Sequence, residues 1–162
     1  MKKGMFLLLS LAICLSACSK EEQTEYEKDP QAFGKSKYND MPSLFQEGKM
    51  DVKIKIDKAS YDVNTNKISY NIINNGEDFL FGHPYEIEQI KNGSWRKIPF
   101  KLNTTFTSIG IILPKGKTVK KTINFDSLNI KLKPGYYRVI DHVYLDQDKK
   151  KDANLSAIFQ II

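Results

Sequence analysis

Cysteine is nearly missing from this sequence. The chain has 162 residues and two cysteines, Cys14 and Cys18, both within the first eighteen positions. Everything after Cys18 is therefore without a disulfide, a thiolate nucleophile or a cysteine metal ligand. Histidine is as scarce: His83 and His142 cannot by themselves build a three-histidine zinc centre. Arginine occurs only as Arg96 and Arg138, so nearly all positive charge is lysine. Lysine is a strongly hydrated point charge, whereas bidentate phosphate and base recognition favours arginine. The lysines are dispersed among apolar residues, which argues for a soluble surface and against a nucleic-acid partner. Glycine-rich phosphate loops are absent. The apolar run from Met5 to Ala17 falls short of the ~20 residues a membrane-spanning helix needs.

What is present starts at the N-terminus. Lys2 and Lys3 precede the apolar run, which is broken only by Ser10 and Ser16. Its length and flanks fit a secretory signal. The run closes on Leu15-Ser16-Ala17-Cys18, which resembles the bacterial lipobox: a branched apolar residue, two small residues, then cysteine. The resemblance implies lipid transfer to the Cys18 sulfur and cleavage between Ala17 and Cys18. It also implies a mature chain anchored at the extracytoplasmic face of a bacterial cell membrane. Acyl chains contribute about 0.8 kcal/mol per buried methylene, and two or more anchor stably. Cys14 lies in the segment removed.

The expected organisation is a signal peptide over 1–17, a polar disordered tether over 18–48 and one domain over 49–162. Residues 19–48 carry seven acidic and four basic side chains, with Pro30, Gly34, Pro42 and Gly48 interrupting any helix. Such a stretch buries too little apolar surface to order itself. Only Pro42–Gln46 is expected to dock, as a single helical turn. Residues 49–162 carry 19 basic against 12 acidic side chains. Outside the membrane a basic domain attracts anionic wall polymers, less so as salt rises.

The domain reads as all-β. Met50, Val52, Ile54 and Ile56 alternate with charged residues, the period of a half-buried strand. Ile68, Tyr70 and Ile72 repeat the pattern before Asn74-Asn75-Gly76 breaks it. A strand over Tyr85–Ile90 meets Asn92-Gly93, the pair that favours a type I′ hairpin turn, and Trp95–Phe100 returns. Further strands are expected over Thr118–Phe125, Gly135–Leu145 and Ala153–Ile162. About seven strands with no long helical period predict a two-sheet sandwich.

Three stretches are similar to the bacterial immunoglobulin-like domain carried by lipoproteins of low-GC Gram-positive bacteria. They are Ile68–Gly76, then Gly82–Pro99 with its Gly-x-Pro-Tyr start, Asn92-Gly93 and Trp95, then Leu113–Val139 with Leu132-Lys133-Pro134-Gly135-Tyr136-Tyr137-Arg138. The resemblance implies a fold and a cell-surface setting, and no activity. Tyr137, two residues after Gly135, is placed to bond its hydroxyl back to upstream backbone, as in a tyrosine corner. Trp95 is expected to pack on the sheet rather than stack on a ligand.

Little else suggests chemistry, and the chain is expected to be no enzyme and to need no cofactor or metal. Glu86 and Glu88 share a strand face but are expected to be solvated. Asp141 and His142 are neighbours and so face opposite sides. Asp146, Asp148 and Asp152 lack the glycine and glutamate of a calcium loop, and Lys149–Lys151 would repel a cation. The candidate contact residues are Phe79, Phe81 and His83 in the 75–84 stretch and Phe106 in 101–112. Both stretches are more apolar than loops require. Their alternative is to form short strands or tuck under the sandwich. Two functions fit this reading: a lipid-anchored binding or structural module, for wall polymer or an unknown surface protein, and an inhibitor of extracytoplasmic proteases acting through exposed loops.

Overall fold

The computed structural model describes residues 36–145 and 151–162. Eleven strands form among them: β1 (Leu44–Glu47), β2 (Met50–Ile56), β3 (Ser60–Tyr61), β4 (Lys67–Asn74), β5 (Phe79–Phe81), β6 (Glu86–Lys91), β7 (Ser94–Ile98), β8 (Ile111–Leu113), β9 (Thr118–Asn124), β10 (Gly135–Tyr144) and β11 (Asp152–Ile161). One sheet has the order β1-β2-β4-β9. The other runs β3-β11-β10-β5-β8, with β6 also on β10 and β7 on β6. The free edge of β10 is divided: β6 pairs with Tyr137–Ile140 and β5 with Val143–Tyr144. All pairings are antiparallel except β3 with β11. This is the two-sheet sandwich the alternation predicts.

The core lies where the inward sets of the two sheets meet. Val52 and Ile54 of β2, Ile68, Tyr70 and Ile72 of β4, and Ile123 of β9 face Val139 and Val143 of β10 and Leu155, Phe159 and Ile161 of β11. Burying each such side chain contributes about 1.5–3 kcal/mol, so the sheets hold together without an inter-sheet disulfide. The corner tyrosine forms as expected. The Tyr137 hydroxyl donates to the Lys133 carbonyl at 2.7 Å and accepts from the Lys133 N–H at 3.1 Å. The hairpin at Asn92-Gly93 has positive φ at both residues, 52° and 71°, as a type I′ turn requires.

Four short strands, β1, β3, β5 and β8, exceed the expected set, and β1 corrects it. Pro42–Gln46 is not a helical turn. Leu44–Glu47 pairs with Met50–Lys53 across Gly48-Lys49, and Gly48 takes φ 58°, which a side chain resists. The described residues 36–47 therefore lie on the sandwich instead of trailing from it. Local polarity hid this, because the stretch is held by hydrogen bonds to distant strands. The Ile54 N–H donates to the Ser43 carbonyl at 2.8 Å, and the Ser156 N–H donates to the Pro42 carbonyl at 2.9 Å. Residues 1–35, with Ala17 and Cys18, lie outside the described residues, as do Asp146 and Asp148.

Candidate functional site

Between β5, β9 and the 101–110 loop lies a groove of about 490 Å³. Phe81, His83, Tyr85 and Phe106 line it, with hydroxyls from Thr104, Thr122 and Ser127. Its Tyr85 and Phe106 rings belong to a three-ring cluster completed by Phe100. Tyr85, Phe100 and Phe106 meet edge to face at 5.5, 5.3 and 5.0 Å, the arrangement that ring quadrupoles favour. Burial raises the Tyr85 hydroxyl's pKa, with hydrogen bonding to the Asn124 backbone and the Ser127 side chain acting the other way. The loop beside the groove is fastened at few points. The Lys101 N–H donates to Ser127 O at 2.9 Å, and the Thr104 hydroxyl donates to the same oxygen at 3.2 Å. Beyond them Leu102 is 99% exposed and Ile109 63%.

Lys121 also lines the groove and runs from it into the sandwich. Its ammonium donates to Asp141 Oδ2 at 2.6 Å and to the Gly82 carbonyl at 2.8 Å. The Tyr70 hydroxyl donates to the same Oδ2 at 2.6 Å. One carboxylate thus joins β9, β4 and β10 across the two sheets. Burial pulls the Lys121 pKa down although Asp141 opposes it. Burial pushes the Asp141 pKa up although Lys121 and Tyr70 oppose it. Asp141 Oδ1 is buried with no hydrogen-bond partner. Both directions say that desolvation outweighs pairing here, as expected for a buried ion pair.

A second buried charge pair sits on the opposite, outward side of β10. Arg138 and Glu88 side chains are 2% and 1% exposed. Arg138 Nε donates to Glu88 Oε2 at 2.7 Å, and its guanidinium lies 4.5 Å from the Trp95 ring centroid. Residues 36–42 close over this pair.

The structure gathers Phe81, His83 and Phe106 at one groove. Phe81 is only 2% exposed, and Phe79, also 2% exposed, belongs to the core on β5. Phe79 and Phe81 therefore take the alternative reading, core positions on a short strand. Glu88 is corrected too, being buried rather than solvated, while Glu86 pairs with Lys97 at 3.0 Å. Asp141 and His142 do face opposite sides. His142 turns outward to Asn154 at 2.8 Å and to Asp152 at 2.9 Å. Trp95 packs on the sheet as expected. Sequence reading missed Lys121, Tyr70 and Arg138 as partners. The structure buries Tyr137–Asp141 at every position, so this strand is covered on both faces.

Residues 48–160 match the sequence profile of a family described as "Bacterial Ig-like domain". No curated protein matches the chain significantly. Among solved structures, a β-glucosidase from Erythrobacter marinus gives TM-score 0.36 at 11% identity, over 70% of this chain and 16% of that one. A DNA glycosylase from Pseudomonas fluorescens, solved on DNA with an abasic-site analogue, gives 0.38 at 16% identity, over 72% and 31%. The soluble domain of PmoD from Methylocystis gives 0.37 at 11% identity, over 76% and 100%. This chain thus spans under a third of the first two, and none of the three speaks to what it does.

Proposed function

This chain belongs to the bacterial Ig-like domain family, and from that premise we propose that it is a non-enzymatic module held by lipid on Cys18 at the extracytoplasmic face of the bacterial cell membrane. The family supports a binding or structural role. The anchor rests on Leu15-Ser16-Ala17-Cys18 behind a basic and apolar leader. The contact surface in this reading is the groove of His83, Tyr85 and Phe106, floored by the buried Phe81, with its exposed loop. The observation that carries it is the groove itself, where the Tyr85 and Phe106 rings meet the hydroxyls of Thr104, Thr122 and Ser127, the mix of apolar wall and placed polar groups that binding sites use. The excess of lysine favours an anionic wall polymer or an acidic surface protein as partner.

Fractionation of cells tests the anchor. Globomycin is expected to accumulate a precursor, and Cys18→Ala to move the protein out of the membrane fraction. Full membrane retention of Cys18→Ala overturns it. Cosedimentation of the purified chain with anionic wall polymer, lost as salt rises, tests the partner. A second reading, protease inhibition, is favoured by Leu102, which is 99% exposed in the turn between Lys101 and Thr104. Incubation of the chain with a panel of extracytoplasmic proteases decides it: simple cleavage without inhibition ends that reading.

A further inference from the structure

Strand β9 turns Val119, Lys121 and Ile123 to one side, and Ile123 is wholly buried in the core. A lysine therefore occupies an inward position of the sandwich, its side chain only 9% exposed. Asp141 holds an inward position on β10, between the buried Val139 and Val143, and its side chain is 1% exposed. The two side chains meet across the gap between the sheets, Nζ to Oδ2 at 2.6 Å. The Tyr70 and Phe81 ring centroids lie 5.7 and 5.8 Å from the same Nζ. A buried ion pair offsets its desolvation only when its remaining lone pairs are satisfied. This one falls short, because Asp141 Oδ1 has no hydrogen-bond partner.

The surrounding groups suit a neutral amine facing a neutral acid. An amine has two N–H bonds and one lone pair. The Gly82 and Pro84 carbonyls stand 2.8 and 3.5 Å from Nζ and take the two N–H groups, which leaves the lone pair for the carboxyl group. The Tyr70 hydroxyl donates to Oδ2 at 2.6 Å. That bond polarises the carboxyl carbon and holds the negative charge that develops on Oδ2 under attack. Desolvation moves both groups toward their neutral forms, and a desolvated lysine is a nucleophile. Holding the two in contact turns an encounter in solution into a first-order step, with effective molarities of about 10⁵–10⁸ M for well-oriented pairs.

We propose that Lys121 and Asp141 condense to an intramolecular amide that ties β9 to β10 across the two sheets. The Lys121 Nζ attacks the Asp141 Cγ. A bond forms between Nζ and Cγ, and the bond between Cγ and Oδ1 breaks. Of the three protons the pair holds, two leave with Oδ1 as water and one stays on the amide nitrogen. Nothing is oxidised or reduced. The unpartnered oxygen is the one that departs, and Oδ2 remains as the amide carbonyl under the Tyr70 hydroxyl. The water leaves through the groove that Lys121 lines. Condensation removes two buried charges and the bare oxygen together. It also gives a chain without cysteine after Cys18 a covalent tie between its sheets. Until it forms, the pair titrates as two free groups, so pH titration of Asp141 is read on chain that is still unlinked. The proposal is independent of the anchor on Cys18.

Peptide mapping of the purified full chain tests it. Trypsin sites at Lys131 and Arg138 lie between the two residues, so a digest separates them unless they are linked. Mass spectrometry of the denatured, digested wild type is expected to find one branched peptide carrying both residues, lighter by one water than its two parts. Cleavage after Lys121 is expected to be lost in that fraction. Fragmentation places the loss at the junction and separates it from a succinimide, which joins no two peptides. Lys121→Met and Asp141→Ala are expected to give no branched peptide. In a time course after refolding, Tyr70→Phe is expected to link at least tenfold more slowly than wild type, with a cooperative melt showing that it folds. Recovery of Lys121 and Asp141 on separate, unmodified peptides from wild type kept folded through prolonged incubation overturns the proposal. Linking of Tyr70→Phe at the wild-type rate overturns the part assigned to Tyr70.

Discussion

A single hydroxyl or carboxylate decides local stability at several points, and each can be removed alone. Tyr137 was legible from Pro134-Gly135-x-Tyr137, because a tyrosine entering a late strand after a turn bonds back to the turn. Its hydroxyl satisfies both main-chain groups of Lys133 and takes a donor from Gln89 at 2.9 Å. Tyr137→Phe is expected to cost about 1–3 kcal/mol, since it orphans partly buried backbone; the urea midpoint measures it. Glu88 was not legible, since nothing local says that a strand glutamate will be covered. Its partner Arg138 is buried and fixed by it. Glu88→Leu is expected to cost about 3–5 kcal/mol by leaving that charge uncompensated. The double variant Glu88→Leu with Arg138→Met should lose less than the sum of the two single changes, as a double-mutant cycle shows.

Strands declare themselves when they are long and half-buried. β2, β4, β6, β7, β9, β10 and β11 each had a period-two pattern or a turn signal, and the structure forms each within a few residues of its expected bounds. β5 and β8 are three residues each, too short to show a period, and they exist because each pairs the other and β5 also pairs β10. The turn Asn74-Asn75-Gly76 was legible as a break, but its tightness was not. A Cβ at Gly76 would meet Asp51 N at 2.3 Å and Lys49 O at 2.5 Å, both main-chain atoms that cannot step aside. Gly48, with positive φ, has nothing within 4 Å of a built Cβ. Gly76→Ala is therefore expected to cost about 2–3 kcal/mol and Gly48→Ala about 1–2 kcal/mol. If thermal melting finds Gly48→Ala the worse of the two, the β1–β2 loop does not pack on the Gly76 turn as described.

At the scale of the whole molecule the two sheets are bound by an apolar core with one charged tie through it. Burial lifts Asp141 above its ordinary 3.8, so the native state binds a proton more readily than the unfolded chain. The contribution of Asp141 is then fully present below that ordinary value and is lost as pH rises through the lifted one. Wild type is expected to lose stability relative to Asp141→Asn over that acid window. Denaturant titrations at a series of pH values measure it, and wild type gaining stability relative to Asp141→Asn as pH rises would contradict the direction. The sequence by itself determined the all-β class, most strand positions, the Asn92-Gly93 turn and the corner tyrosine, because each depends on residues near one another in the chain. It also carried the leader ending at Cys18 as a resemblance. Only the tertiary structure decided that Lys121 meets Asp141, that Arg138 meets Glu88, that Phe79 turns inward and that residues 36–47 lie on the sandwich. Those outcomes depend on groups 20 to about 100 positions apart, and no local pattern encodes which distant strand will supply a buried group with its partner.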